Sequence, residues 1–170
     1  MKIKERGILM SDHLKTWGAR INNPQSNIAE TKAEDYYKSK EFEIFRFGFD
    51  LLQEDIDVSV WCKIPLLIRK KPDYIVVKKG AYFVEAKGCV NVIRLKEEDI
   101  NAYGWWQDKF KMSLGFFFYS TSYKRHLNVS YNQVLAYLPQ CETEEFIDNG
   151  KKYYKIYFER LERFIRDEGR

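Results

Sequence analysis

Asp73 follows Pro72, and fourteen positions separate it from the last residue of the triplet Glu85-Ala86-Lys87. Two carboxylates and one ammonium are the components for handling a phosphate ester. A phosphodiester is stable in water because its own negative charge repels nucleophiles. Carboxylates can hold Mg²⁺, with Mn²⁺ as a substitute. Such a cation offsets that charge and makes a water-derived nucleophile available near neutral pH. An ammonium beside it can hold the attacking water and stabilise the crowded anionic transition state.

The segment between the acids must fold so that they meet. Tyr74–Val77 is β-branched and aromatic and reads as a strand. Lys78-Lys79-Gly80 reads as a tight turn, and 81–86 as the returning strand. A three-residue loop with Gly80 left-handed sets Val77 opposite Ala81, Ile75 opposite Phe83 and Asp73 opposite Glu85. Lys87, two residues past Glu85, shares its face. A two-residue loop would turn Asp73 to the other face, so the site depends on register.

Pro72-Asp73 and Glu85-Ala86-Lys87, with a polar helix before them and an aromatic helix after, resemble the PD-(D/E)xK nuclease superfamily (restriction-endonuclease-like, Holliday-junction-resolvase-like). The motif covers five residues, and the looser order of elements covers 31–120. Glu-x-Lys alone is unspecific, since Glu30-Thr31-Lys32 repeats it in a polar stretch. The resemblance implies an α/β fold with a mixed-sheet core of order αβββαβ flanked by helices, here with an added C-terminal helix. It implies Asp73, Glu85 and the Ala86 carbonyl as metal ligands. Lys87 becomes a positioning and electrostatic group, because two carboxylates favour its charged form. The family often adds an acid from the first helix, for which Glu43 is the first candidate and Glu41 and Glu34 follow. A polar residue on the helix after the motif is also common. Gln107 and Tyr103, one turn apart, fill that position.

Charge distribution agrees with a polyanionic partner. The net charge is +4, yet 63–96 holds nine basic residues and only Asp73 and Glu85 as acids. Lysines at strand ends are also an ordinary guard against edge pairing. Lys70, Lys71, Tyr103, Lys124 and Arg125 are candidates for nucleic-acid contact, His126 sits beside them, and Trp105-Trp106 offers a ring for stacking or for packing. His13 and His126 are too isolated for a metal site, and neither a phosphate-binding glycine loop nor a Gly-x-Ser-x-Gly elbow is present.

At 170 residues with 12 Tyr, 12 Phe and 4 Trp, the chain can bury a real core. No apolar run approaches a membrane span, and no secretory signal is evident. Cys62, Cys89 and Cys141 suit neither a disulfide framework nor a zinc site. The expectation is an intracellular protein, cytoplasmic or nucleoid-associated.

Residues 1–28 read as an arm and 29–170 as one nuclease-like domain. Within it, 31–54 reads as a helix through Phe42, Phe45, Phe49 and Leu52, and 58–67 as a strand. The span 94–101 opens a helix reaching Met112, and Phe116-Phe117-Phe118-Tyr119 is a buried strand. A basic loop covers 123–126, and 129–138 is ambiguous until Pro139 ends it. Asn149-Gly150 is a turn and 153–167 an amphipathic helix.

The function expected from this reading is a Mg²⁺-dependent DNA endonuclease leaving 5′-phosphate ends. The small size favours structure-selective cutting or a homodimer. DNA and RNA are not separated by these residues. The competing reading is an inactive nuclease-fold protein that binds nucleic acid or serves as a structural or interaction module.

Overall fold

The computed structural model describes residues 24–47 and 62–168. Helix α1 (Pro24–Ser39) leads into strand β1 (Glu43–Arg46); a one-turn helix α2 (Leu66–Arg69) precedes β2 (Tyr74–Val77) and β3 (Ala81–Cys89). Then come β4 (Val92–Lys96), helix α3 (Glu97–Phe110), β5 (Leu114–Ser120), β6 (Arg125–Ser130) and helix α4 (Tyr131–Tyr137). A 3₁₀ turn (Leu138–Gln140), β7 (Glu142–Glu145), β8 (Lys152–Tyr157) and helix α5 (Phe158–Glu168) complete the order.

The strands form a five-stranded sheet, β1-β2-β3-β5-β6, and a three-stranded sheet, β4-β8-β7. Within the larger sheet β3 and β5 run parallel and the other pairs antiparallel, so this is a mixed α/β fold with helices on both faces. The crossover between β3 and β5 carries β4 and α3, as a parallel connection requires.

Alternation along β5 divides the interior in two. Phe116 and Phe118 enter a core shared with Phe83 of β3, Tyr103 and Trp106 of α3, Ile93 and Leu95 of β4, Ile156 of β8 and Leu161 of α5. Phe117 points the other way, into a smaller cluster with Ala33 and Tyr37 of α1, Tyr74, Val76 and Val84. All three phenylalanines are fully buried. This is why the run is continuously apolar: its strand is covered on both sides.

Several expected elements change type. Helix α1 starts at Pro24, a residue suited to a first helical turn, inside the span expected to be an arm. It stops at Ser39, where the Phe42 amide donates to the Tyr37 carbonyl and Glu41 turns left-handed at φ 61°. Phe42 and Ile44 then pack against the smaller cluster while Phe45 is exposed. The aromatic spacing read as helical thus belongs partly to a strand; 48–54 lie outside the described residues. Of the strand expected over 58–67, 58–61 lie outside them too, and Leu66–Arg69 is the helix α2.

The span 94–96 belongs to strand β4 rather than to a helix, and 125–126 to strand β6 rather than a loop. The ambiguous span 129–138 resolves into the end of β6, α4 and the start of the 3₁₀ turn. Ser130 caps α4 by accepting the Gln133 amide, and Gln133 reciprocates to the Ser130 amide. The expected final helix begins at Phe158, because 153–157 pair with β4 and β7 as strand β8. Gly150 takes the turn with φ 64°.

Candidate active site

In the β2–β3 hairpin Val77 pairs with Ala81, Ile75 with Phe83 and Tyr74 with Val84. Gly80 does not carry the left-handed conformation expected of it; the turn closes instead through the Lys78 amide donating to the Gly80 carbonyl. The register continues to bring Asp73 level with Glu85. The ladder itself ends at Tyr74, and Asp73 takes over. Its Oδ2 accepts the Ala86 amide at 2.9 Å, and its backbone carbonyl accepts the Phe47 amide at 2.7 Å. The carboxylate is thereby fixed to the strand that carries the other two motif residues.

Phe83, Glu85 and Lys87 alternate onto the face of β3 that meets α3. Glu85 is only 4% exposed. Its Oε1 accepts Lys87 Nζ at 2.7 Å, while its Oε2 is buried with no well-formed hydrogen bond among the described residues, the Tyr103 phenol being its neighbour. An orphaned buried carboxylate oxygen is costly, and a bound cation is one remedy.

Burial acts to lower the pKa of Lys87. The Glu85, Asp99 and Asp73 carboxylates outweigh it and hold the ammonium charged well above its ordinary range. Tyr103, buried on α3, is pushed far up by desolvation, then by the same three carboxylates and by its hydrogen-bonding approach to Glu85, so its phenol stays protonated.

Asp99 is the acid that reading the sequence did not single out. It lies in the first turn of α3, where Glu97 and Glu98 are equally acidic. Proximity in space alone distinguishes it. Lys70 reaches Asp99 in a short contact and Glu98 at 2.8 Å. Lys70 is delivered there because the Trp106 indole donates to the Leu67 carbonyl at 2.9 Å, docking α2 on α3. Lys96 shows how crowded the corner is. Burial first, then Lys70, Lys87 and Lys151, lower its pKa against Asp99.

The helix acids do not join this group. Glu43 is an exposed residue at the start of β1, paired with Val77 at the far end of the hairpin, which corrects its expected place on a helix. Glu34 serves the opposite face of the sheet, accepting the Tyr74 hydroxyl and Arg46. Glu41 meets Lys78 at the hairpin turn. Helix α1 packs on the Tyr74–Val84–Phe117 face, and the sheet separates its acids from Glu85.

Gln107 spends its side-chain oxygen on the Leu114 amide at 3.0 Å, fixing the start of β5. Tyr103 sits in the core rather than on a surface, with Phe116 at a ring separation of 5.7 Å. Lys71 lies over the Phe47 ring at 4.8 Å. Lys124 is an exposed left-handed residue at φ 51° in the β5–β6 turn. Arg125 binds Glu162 at 2.8 Å and covers the Tyr123 ring. Trp106 is buried and Trp105 is 37% exposed. His126 is exposed but rests against the rings of Tyr36 and Phe117, and partial desolvation lowers its pKa.

Among the described residues no group of three or more His, Cys, Asp or Glu side chains is arranged to hold a metal ion. A cation here would draw on the two carboxylates of Asp73 and Glu85, a donor number compatible with magnesium, which retains several waters.

No protein-family model matches the chain, and no curated protein does. Among solved structures it is similar to D212, a nuclease from a fusselovirus, at 12% identity and a TM-score of 0.44, over 84% of this chain and 92% of that one. No helix among the described residues is long and apolar enough to cross a membrane.

Proposed function

We propose that this chain is a divalent-metal-dependent endonuclease of the PD-(D/E)xK kind, hydrolysing DNA with Mg²⁺, for which Mn²⁺ substitutes. The observation that carries the reading is the meeting of Asp73, Glu85 and Lys87 on one strand pair, with one oxygen of a buried carboxylate left unpartnered. Asp73 and Glu85 with the Ala86 carbonyl would hold the cation. When bound, it would supply charge neutralisation and a water of lowered pKa. Asp73 is kept in place by the Ala86 amide. Without metal the neighbouring carboxylates hold Lys87 as an ammonium; in this reading it acts as a donor that orients water and meets charge building on the phosphoryl oxygens. Tyr103 closes the inner wall against Glu85 as a neutral phenol.

The test is incubation of the full chain with supercoiled plasmid, branched DNA and single-stranded RNA, in Mg²⁺, in Mn²⁺ and in chelator. Metal-dependent nicking that disappears in Asp73→Ala and Lys87→Ala is the expected result. Absence of cleavage of every substrate in both metals would overturn the reading. Salt-sensitive binding without cleavage would leave a nucleic-acid-binding module in its place.

A further inference from the structure

Helix α5 sorts its charges by flank. Glu159 and Glu162 face Arg125, and Glu162 also meets Arg166 at 3.7 Å. Arg160 and Arg163, one turn apart, lie on the other flank and border a cavity of about 670 Å³ that is broadly open to solvent, together with Tyr137, Gln140, Phe164 and Asp167. The cavity lies between α5 and the end of α4 with the 3₁₀ turn.

Unlike the cations held in ion pairs, the two arginines are not committed to a carboxylate among the described residues. Arg46, Lys70, Lys78, Lys87, Arg125, Lys151 and Lys155 each meet a carboxylate. Among the described residues Arg160 meets none; its guanidinium lies 4.7 Å from the Tyr157 ring centroid. Arg163 gives its Nε hydrogen to the Glu159 carbonyl at 3.4 Å and keeps its other donors. Asp167 shares the cavity and pairs with neither.

We propose that this cavity is a phosphate-binding subsite, separate from the carboxylates of the hairpin. Guanidinium forks match the oxygens of a phosphate in two-point contacts. Residues at i and i+3 of a helix have Cβ atoms about 5–6 Å apart, close enough to converge on one oxyanion. Gln140 adds a neutral donor. Stacking on Tyr157 presets the Arg160 side chain, which reduces the ordering cost of binding. The phosphate belongs to a nucleic-acid strand or to a free nucleotide. The site stands on the arginines and the cavity and does not require that the hairpin cleave anything.

The experiment is binding by the full chain in chelator, so that cleavage plays no part. Labelled single-stranded and duplex oligonucleotides are titrated by fluorescence anisotropy over a range of salt, with inorganic phosphate and a nucleoside monophosphate as competitors. Wild type is compared with Arg160→Gln/Arg163→Gln and with Arg160→Lys/Arg163→Lys. Both arginines are exposed, and circular dichroism confirms folding.

The glutamine pair should weaken strand binding about tenfold and flatten the logarithmic salt slope by about 1.4 for two lost contacts on a single strand. The lysine pair should keep the slope and recover only part of the affinity. A loss confined to oligonucleotides identifies a strand as the source of the phosphate; a parallel loss of monophosphate competition identifies a free nucleotide. Unchanged affinity and slope in the glutamine pair, for every probe, would overturn the proposal.

Discussion

On the proposed reading, Lys87 and a metal ion would compete for the same carboxylate. The ammonium holds Glu85 Oε1 at 2.7 Å, beside an oxygen with no partner. In metal-free buffer Lys87→Met should lower stability by about 1–3 kcal/mol, since it strands a buried carboxylate. Saturating Mn²⁺ should raise the melting temperature of the variant more than that of wild type, while cleavage falls about 10²–10³-fold. The pH dependence has a definite sign. The folded-state pKa of Lys87 lies above its ordinary value of 10.5, so its contribution is complete below that value and is lost as pH rises beyond it. The stability gap between wild type and Lys87→Met should therefore stay constant from about pH 6 to 9 and narrow above about 10.5, as read by denaturant titration.

The thiols give a second check at this scale. Burial pushes Cys89 and Cys141 up to about 11, whereas Cys62 is exposed. Iodoacetamide at about pH 8 should label Cys62 and spare the other two in the native protein, because the thiolate is the reactive form. Peptide mass spectrometry reads the outcome.

At the scale of elements, α3 depends on a glycine for its approach to α4. A Cβ at Gly104 would come within 2.5 Å of Tyr131 Oη, which donates to the Ile100 carbonyl at 3.1 Å. Alanine gains about 1 kcal/mol of helix propensity. Overpacking costs about 1–3 kcal/mol, and displacing the phenol loses a hydrogen bond worth about 1 kcal/mol more. Gly104→Ala should thus be net destabilising, and Tyr131→Phe in the same chain should recover part of the loss. The cap of α4 is simpler: Ser130→Ala removes the acceptor for the Gln133 amide and should cost about 1 kcal/mol in thermal unfolding.

In the whole molecule, one core joins the two sheets. Ile93 and Leu95 from β4 and Ile156 from β8 pack with Phe83, Phe116 and Phe118 of the larger sheet. The sheets should therefore unfold together. Ile156→Ala, at a fully buried position, should cost about 2–5 kcal/mol. It should also keep a single transition, with tryptophan fluorescence and far-ultraviolet circular dichroism coincident. Separate transitions by the two probes would show that the smaller sheet is an independent unit.

The hairpin was legible in the chain itself. Alternation and a three-residue turn fix which face Glu85 and Lys87 share and set Asp73 opposite them, because register is a local property once the turn length is known. The buried run Phe116-Phe117-Phe118 was legible for a similar reason: only a strand covered on both faces is apolar at every position. Strands β4 and β8 were not. Arg94-Leu95-Lys96 and Tyr153 to Tyr157 mix charged and apolar residues in ways that fit helix or strand, and their pairing across some sixty positions decided. Sequence singled out Asp73, Glu85 and Lys87 and set them level across the hairpin. Tertiary structure alone put the α1 acids behind the sheet and brought Asp99 and Lys70 forward, because which side of a sheet a helix covers is settled by core packing and carries no local signature.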